Sequence, residues 1–162
     1  MKKIVFDDPY LKKGYDPSME SLYVIGNHLG FIESIQGNTP FFGKDILERE
    51  IKKKHSSYKS QDKKKNRYDE DQHIQYDELI QKLCKSRLKC YYCKRNICLL
   101  YKNKNETNQW SLERFDNNLG HYAENTCISC LQCNLQRRNE NHEYFKLGKQ
   151  MKIVKHGEED QK

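Results

Sequence analysis

The chain has 162 residues, 35% hydrophobic and 33% charged, with a mean hydropathy of -1.09, a thin supply for one core over the whole length. Part of it is therefore expected to be extended, or to lean on a partner or a bound metal. The formal charge of +7 favours polyanionic partners, nucleic acid first among them, while the absence of a long apolar run excludes a membrane span.

Residues 1–43 read as an irregular N-terminal segment. Met1 to Asp8 meets acid before an apolar stretch forms, so no secretory leader is expected. Three prolines and five glycines interrupt any long period. Leu22–Ile25 and Phe31–Ile35 read as two short strands of a hairpin, with His28 as a solvated turn residue. Residues 44–75 read as a basic arm. It opens with a helix over 44–56, where Ile46, Leu47 and Ile51 recur among charges. Lys52 to Arg67 follows, basic and without aliphatics, with Tyr58 interleaved. It suits contacts to phosphate. Residues 1–75 together are also a candidate surface for a protein partner.

Tyr76 to Leu88 is the clearest helix, with acids at its start and bases at its end. Leu79, Ile80, Leu83 and Cys84 share its apolar face, which makes Cys84 a packing residue. Cys98–Tyr101, Trp110–Phe115 and Thr126–Ser129 read as short strands. A helix is expected from Leu131 to about Leu147, packed through Leu135, Tyr144 and Phe145. Residues 148–162 read as a frayed tail. The core of the domain, 76–147, is thus strand, loop, strand, helix.

Seven cysteines without a leader fit a reducing intracellular compartment, nucleus or cytoplasm, better than a disulfide framework. Cys90-Tyr-Tyr-Cys93 and Cys130-Leu-Gln-Cys133 are the spacing of a tetrahedral structural zinc site, in which each pair turns both sulfurs toward one metal. Cys127 forms the same spacing with Cys130, so spacing alone leaves the second pair open.

Between the pairs runs Trp-Ser-Leu-Glu113-Arg114-Phe-Asp-Asn-Asn-Leu-Gly-His121-Tyr-Ala-Glu-Asn125, and Cys133 is followed by Asn134-Leu-Gln-Arg137-Arg138. These residues resemble the HNH nucleases of the ββα-metal fold, in the zinc-stapled branch that includes phage recombination endonucleases and HNH proteins of large DNA viruses. The resemblance covers residues 76–140. It implies an α+β fold, a small zinc-bound ββα-metal domain behind a helical or irregular basic extension. It implies a metal-dependent endonuclease that hydrolyses DNA phosphodiester bonds in duplex or branched DNA. The alternative is a non-catalytic, zinc-stabilised DNA-binding or virion structural protein derived from such a nuclease. Cys90, Cys93, Cys130 and Cys133 match the zinc ligands, Asn134 directly following the last. Glu113 and Asn134 match the ligands of a catalytic Mg2+ or Mn2+, and Asn125 matches the Asn that pins the loop. Arg114 stands where the family has its general-base His. A guanidinium cannot be deprotonated, so Arg114 suits a phosphate instead, and His121 is the candidate substitute base, ahead of His142.

Overall fold

Residues 8–154 are described by the computed structural model. Asp16 starts a 3-10 helix over Pro17–Tyr23, its Oδ1 accepting from the Ser18 N–H at 2.9 Å. The chain then enters α1, Ile25–Gln36. The hairpin expected here is absent. His28, Ile32 and Ile35 are buried on one helical stripe, and Gly26 and Gly30 face open space, where a missing side chain costs no packing. His28 is fully buried rather than solvated. Its Nδ1 accepts from the Leu99 N–H at 3.0 Å, which leaves Nε2–H to donate to the Leu22 carbonyl at 2.9 Å.

A left-handed Gly43 (φ 80°) turns the chain into α2, Lys44–Lys64. Its glycine is required: a Cβ there would lie 2.4 Å from the Leu22 side chain. The helix runs well beyond residue 56, through most of the basic arm. Leu47, Ile51, Tyr58 and Asp62 form its buried stripe, at helical spacing but half polar. Lys54 belongs to the packed side too. Its ammonium donates to Gln109 Oε1 at 2.9 Å and to the Trp110 carbonyl, and it lies 4.7 Å over the Trp110 ring. Burial pushes its pKa down to about 7, so this lysine is a packing group and not a phosphate contact.

Helix α3, Tyr76–Lys85, opens on a capping box in which Glu78 Oε2 accepts from the Gln75 N–H at 2.8 Å. Left-handed Arg87 and Leu88 end it earlier than the sequence suggests and aim the chain at the first cysteine pair. The sheet is the antiparallel pair β1, Trp110–Arg114, and β2, Thr126–Cys130, with Glu113 opposite Cys127 and Arg114 opposite Thr126. The strand expected at Cys98–Tyr101 shrinks to a single bridge between Cys98 and Gln109.

Two helices replace the single one expected after β2: α4, Leu131–Arg137, and α5, His142–Gln150. Left-handed Arg138 breaks the run. Asn141 restarts it, its Oδ1 accepting from the Glu143 and Tyr144 N–H groups. Phe145 packs, whereas Leu135 and Tyr144 are exposed. The helix reaches Gln150, into the stretch read as tail; residues 155–162, and the opening Met1–Asp7, lie outside the described residues. One core joins α1, α2, α3 and β1 through Ile32, Leu47, Ile51, Leu79, Leu83, Trp110 and Leu112. Among the described residues no helix is long and apolar enough to cross a membrane.

Candidate functional site

The Sγ atoms of Cys90, Cys93, Cys130 and Cys133 all lie within 4.8 Å of one another. Cys93 and Cys130 are 3.9 Å apart, and four sulfurs about 2.3 Å from a central zinc would be separated by about 3.8 Å. The set fits a closed tetrahedral metal site, and the four cysteines could hold an ion such as zinc. A tight turn with left-handed Lys94 brings Cys90 and Cys93 together. Cys130 caps α4, its sulfur accepting from the Cys133 N–H at 3.3 Å. Cys127 is not in the cluster. It is buried beside Glu113, 3.9 Å from Oε2, and burial pushes its thiol pKa up. Cys98 is buried as well, and Cys84 half-buried with its sulfur toward the Ile32 carbonyl.

Alternation along β1 sends Ser111 and Glu113 toward α4. Glu113 is only 3% exposed and fully engaged. Its Oε1 accepts from Arg137 Nε at 2.6 Å and its Oε2 from the Tyr92 hydroxyl at 2.5 Å. Desolvation raises its pKa, opposed by those two donors. Asn134 lies on the same seam, its amide donating to Ser111 Oγ at 3.1 Å. Arg137 is buried as well. It also donates to the Glu140 and Arg114 carbonyls at 2.6 and 2.5 Å. The seam as arranged does not fit a divalent ion, because a guanidinium fills the place of the cation and both carboxylate oxygens are taken.

The loop between the strands is pinned as the sequence implies. Asn125 Oδ1 accepts from the Asp116 N–H, and its Nδ2 donates to the Asp116 and Gly120 carbonyls, each at 3.0 Å. Arg114 Nη1 donates to the carbonyls of Asn117 and Leu119 at 3.2 and 2.9 Å. At Gly120 a Cβ would meet the Arg67 carbonyl at 2.5 Å, so only glycine allows the loop to close this tightly on the end of α2.

That closure brings together the pair the sequence did not reveal. Asp62 of α2, 1% exposed, receives the His121 backbone N–H on Oδ2 at 2.7 Å and faces His121 Nδ1 with Oδ1 at 2.8 Å. His73 Nδ1 stands 3.4 Å from Oδ2, too poorly aimed to hydrogen-bond. Tyr58 lies with its ring 4.7 Å from that of His121, and its hydroxyl accepts from the Leu112 N–H at 3.0 Å. Burial pushes the His121 pKa down to about 4, against the pull of Asp62 and with help from Arg114. His142 is remote from this dyad. Its ring lies 4.5 Å from that of Phe115, tilted by 41°, and its Nε2 is 3.1 Å from Glu143 Oε1. The one signal for Asp62 in the sequence is its place on the α2 stripe with Leu47, Ile51 and Tyr58.

No protein-family model matches this sequence, and no curated protein and no solved structure shows a significant match to it.

Proposed function

We propose that the chain is a zinc-stapled HNH-type endonuclease that hydrolyses DNA phosphodiester bonds, with His121 as its general base. The observation that carries the reading is the His121–Asp62 dyad, set on the loop that Asn125 pins beside Arg114. The motif lacks its usual base at residue 114, and the dyad supplies one. Asp62 accepts a hydrogen bond from Nδ1–H, which fixes the tautomer and leaves Nε2 as the acceptor. With its pKa pushed down to about 4 the imidazole is neutral at physiological pH, so its Nε2 lone pair is free, but it pulls on water more weakly than a base poised near 7. Water attacks phosphorus as His121 takes its proton, and the bond to the leaving sugar oxygen breaks, that oxygen taking a proton from solvent. Arg114 uses two loop carbonyls to fix its guanidinium, whose remaining N–H groups can face the charged phosphoryl oxygens. The zinc held by Cys90, Cys93, Cys130 and Cys133 is structural, locking the sheet to α4. Mg2+ or Mn2+ at Glu113 would require Arg137 to leave the carboxylate first.

A second reading, DNA binding without cleavage, is favoured by that closed carboxylate. Nicking of supercoiled plasmid separates the two, run with Mg2+, with Mn2+ and with chelator. His121→Ala should lose roughly 10²–10⁴-fold in rate, the worth of a general base. Arg114→Ala should lose roughly 10²–10³-fold, the worth of an oxyanion donor. Wild-type protein that holds zinc, binds the plasmid and leaves it supercoiled in every arm would refute the nuclease and establish the second reading.

A further inference from the structure

Two concavities of similar size flank the sheet. One, about 500 Å³, is walled by Asp71, Glu78 and Glu124, the wrong sign for phosphate. The other, about 480 Å³, is lined by Lys82, Lys85, Lys89 and Lys94, with Tyr91 and Phe115 among them and no acidic residue in its wall. We propose that this lysine-walled groove, between α3, the first cysteine turn and the outer edge of β2, is a binding track for the phosphate backbone of a nucleic-acid strand.

Three features favour that occupant. The cations come from three separate structural levels, namely the last turn of α3, the connection after it and the cysteine turn, and they converge on one depression. Such convergence is unlike the scattered charge of a solvated helix face. Lys82 is fixed in place, half-buried with its ammonium donating to the Thr126 carbonyl at 3.0 Å, while Lys85, Lys89 and Lys94 are exposed and free to meet anions. The aromatic floor is part of the same charged surface. Lys94 and Lys146 lie 5.7 and 4.1 Å over the Tyr91 ring, and Phe115 packs edge-on 5.4 Å from it. Glu143, reached by the Tyr91 hydroxyl at 3.4 Å, marks the end of the basic stretch. The choice of a nucleic acid over an acidic peptide rests on the endonuclease reading; the groove and its charge do not.

The test is fluorescence anisotropy with labelled single-stranded and duplex oligonucleotides across a salt series, comparing wild type with K85Q/K89Q/K94Q. Lys82 is left intact because its ammonium supports the fold. Each lost phosphate contact lowers the slope of log K against log salt by about 0.7 for single strands and about 0.9 for duplex. Three lost contacts should therefore flatten the single-strand slope by about 2, which at about 0.1 M salt is roughly a 100-fold loss of affinity. Equal melting temperatures and zinc content would confirm that both proteins are folded. Wild-type affinity and slope in the variant would overturn the proposal. So would wild-type protein that binds neither oligonucleotide, or that binds polyglutamate with equal affinity at this groove. Failure of the wild type to nick, with this binding intact, would count against the catalytic reading alone.

Discussion

Arg137→Met removes the cation from a carboxylate that has nowhere else to turn. Glu113 is buried, and its other partner, the Tyr92 hydroxyl, is neutral. Breaking one side of a buried pair costs about 3–5 kcal/mol, because a charge is left in a poorly solvated place. The carbonyls of Arg114 and Glu140 lose their donor as well. A domain of this size loses about 2–4 °C in Tm per kcal/mol, so a midpoint drop of roughly 6–20 °C is expected. Zinc-loaded protein followed by urea and thermal unfolding would measure it, together with E113Q and the double variant. The double variant should be less damaged than the sum of the singles, since removing both charges leaves nothing unpaired. Glu113 in Arg137→Met can escape by binding a proton, so the loss should be larger at alkaline than at mildly acidic pH. Added Mn2+ should stabilise Arg137→Met more than wild type if the freed carboxylate accepts an ion. A cost under about 1 kcal/mol, the range of a surface pair, would refute the claim that this guanidinium holds the seam together.

Cys93→Ser breaks a four-thiolate set and should abolish stoichiometric zinc in metal analysis and collapse the sheet–α4 unit; a folded, zinc-loaded variant would remove the structural role. Stability should also fall with acid through His121. An unfolded imidazole titrates near 6.5 and the folded one near 4, so between those values only the unfolded state takes the proton. Stability is therefore full above about pH 6.5, declines toward pH 4 by about 3 kcal/mol, and levels below it. His121→Phe should flatten that limb; an unchanged pH profile in the variant would refute the assignment.

The features legible in the sequence were those carried by short spacing. The cysteine pairs, the two strands and α3 announce themselves within a few residues. Asn125 was readable only through the family resemblance, which carries an Asn at its place in the motif, and its bond to the Asp116 N–H spans nine positions. The features that were not legible depended on distance or on polar burial. Helix α1 was hidden by glycines that happen to face solvent, and its short apolar clusters mimicked strands. The second half of α2 looked like a solvated arm because its buried stripe is built from Tyr58 and Asp62, with Lys54 alongside. Arg137 looked like its exposed neighbour Arg138. Only the fold reveals which of the two faces a carboxylate. The partner of His121 lies 59 positions away, out of reach of any local pattern.

The bond from Leu112 to Tyr58 and the pair of His121 with Asp62 span 54 and 59 residues, and both run through one helix. Such contacts form only after a long stretch of chain has closed on itself, which slows folding. The cysteine turn, the strand pair and α4 can assemble around a metal before α2 has docked. Metal uptake and acquisition of the His121–Asp62 geometry can therefore be followed as two separate signals during refolding. During synthesis α2 leaves the ribosome first and must wait, half its docking face polar, for the hairpin that will cover it. The four-cysteine cluster closes over 43 residues of chain and the dyad over 59, so the two depend on different amounts of chain having been made.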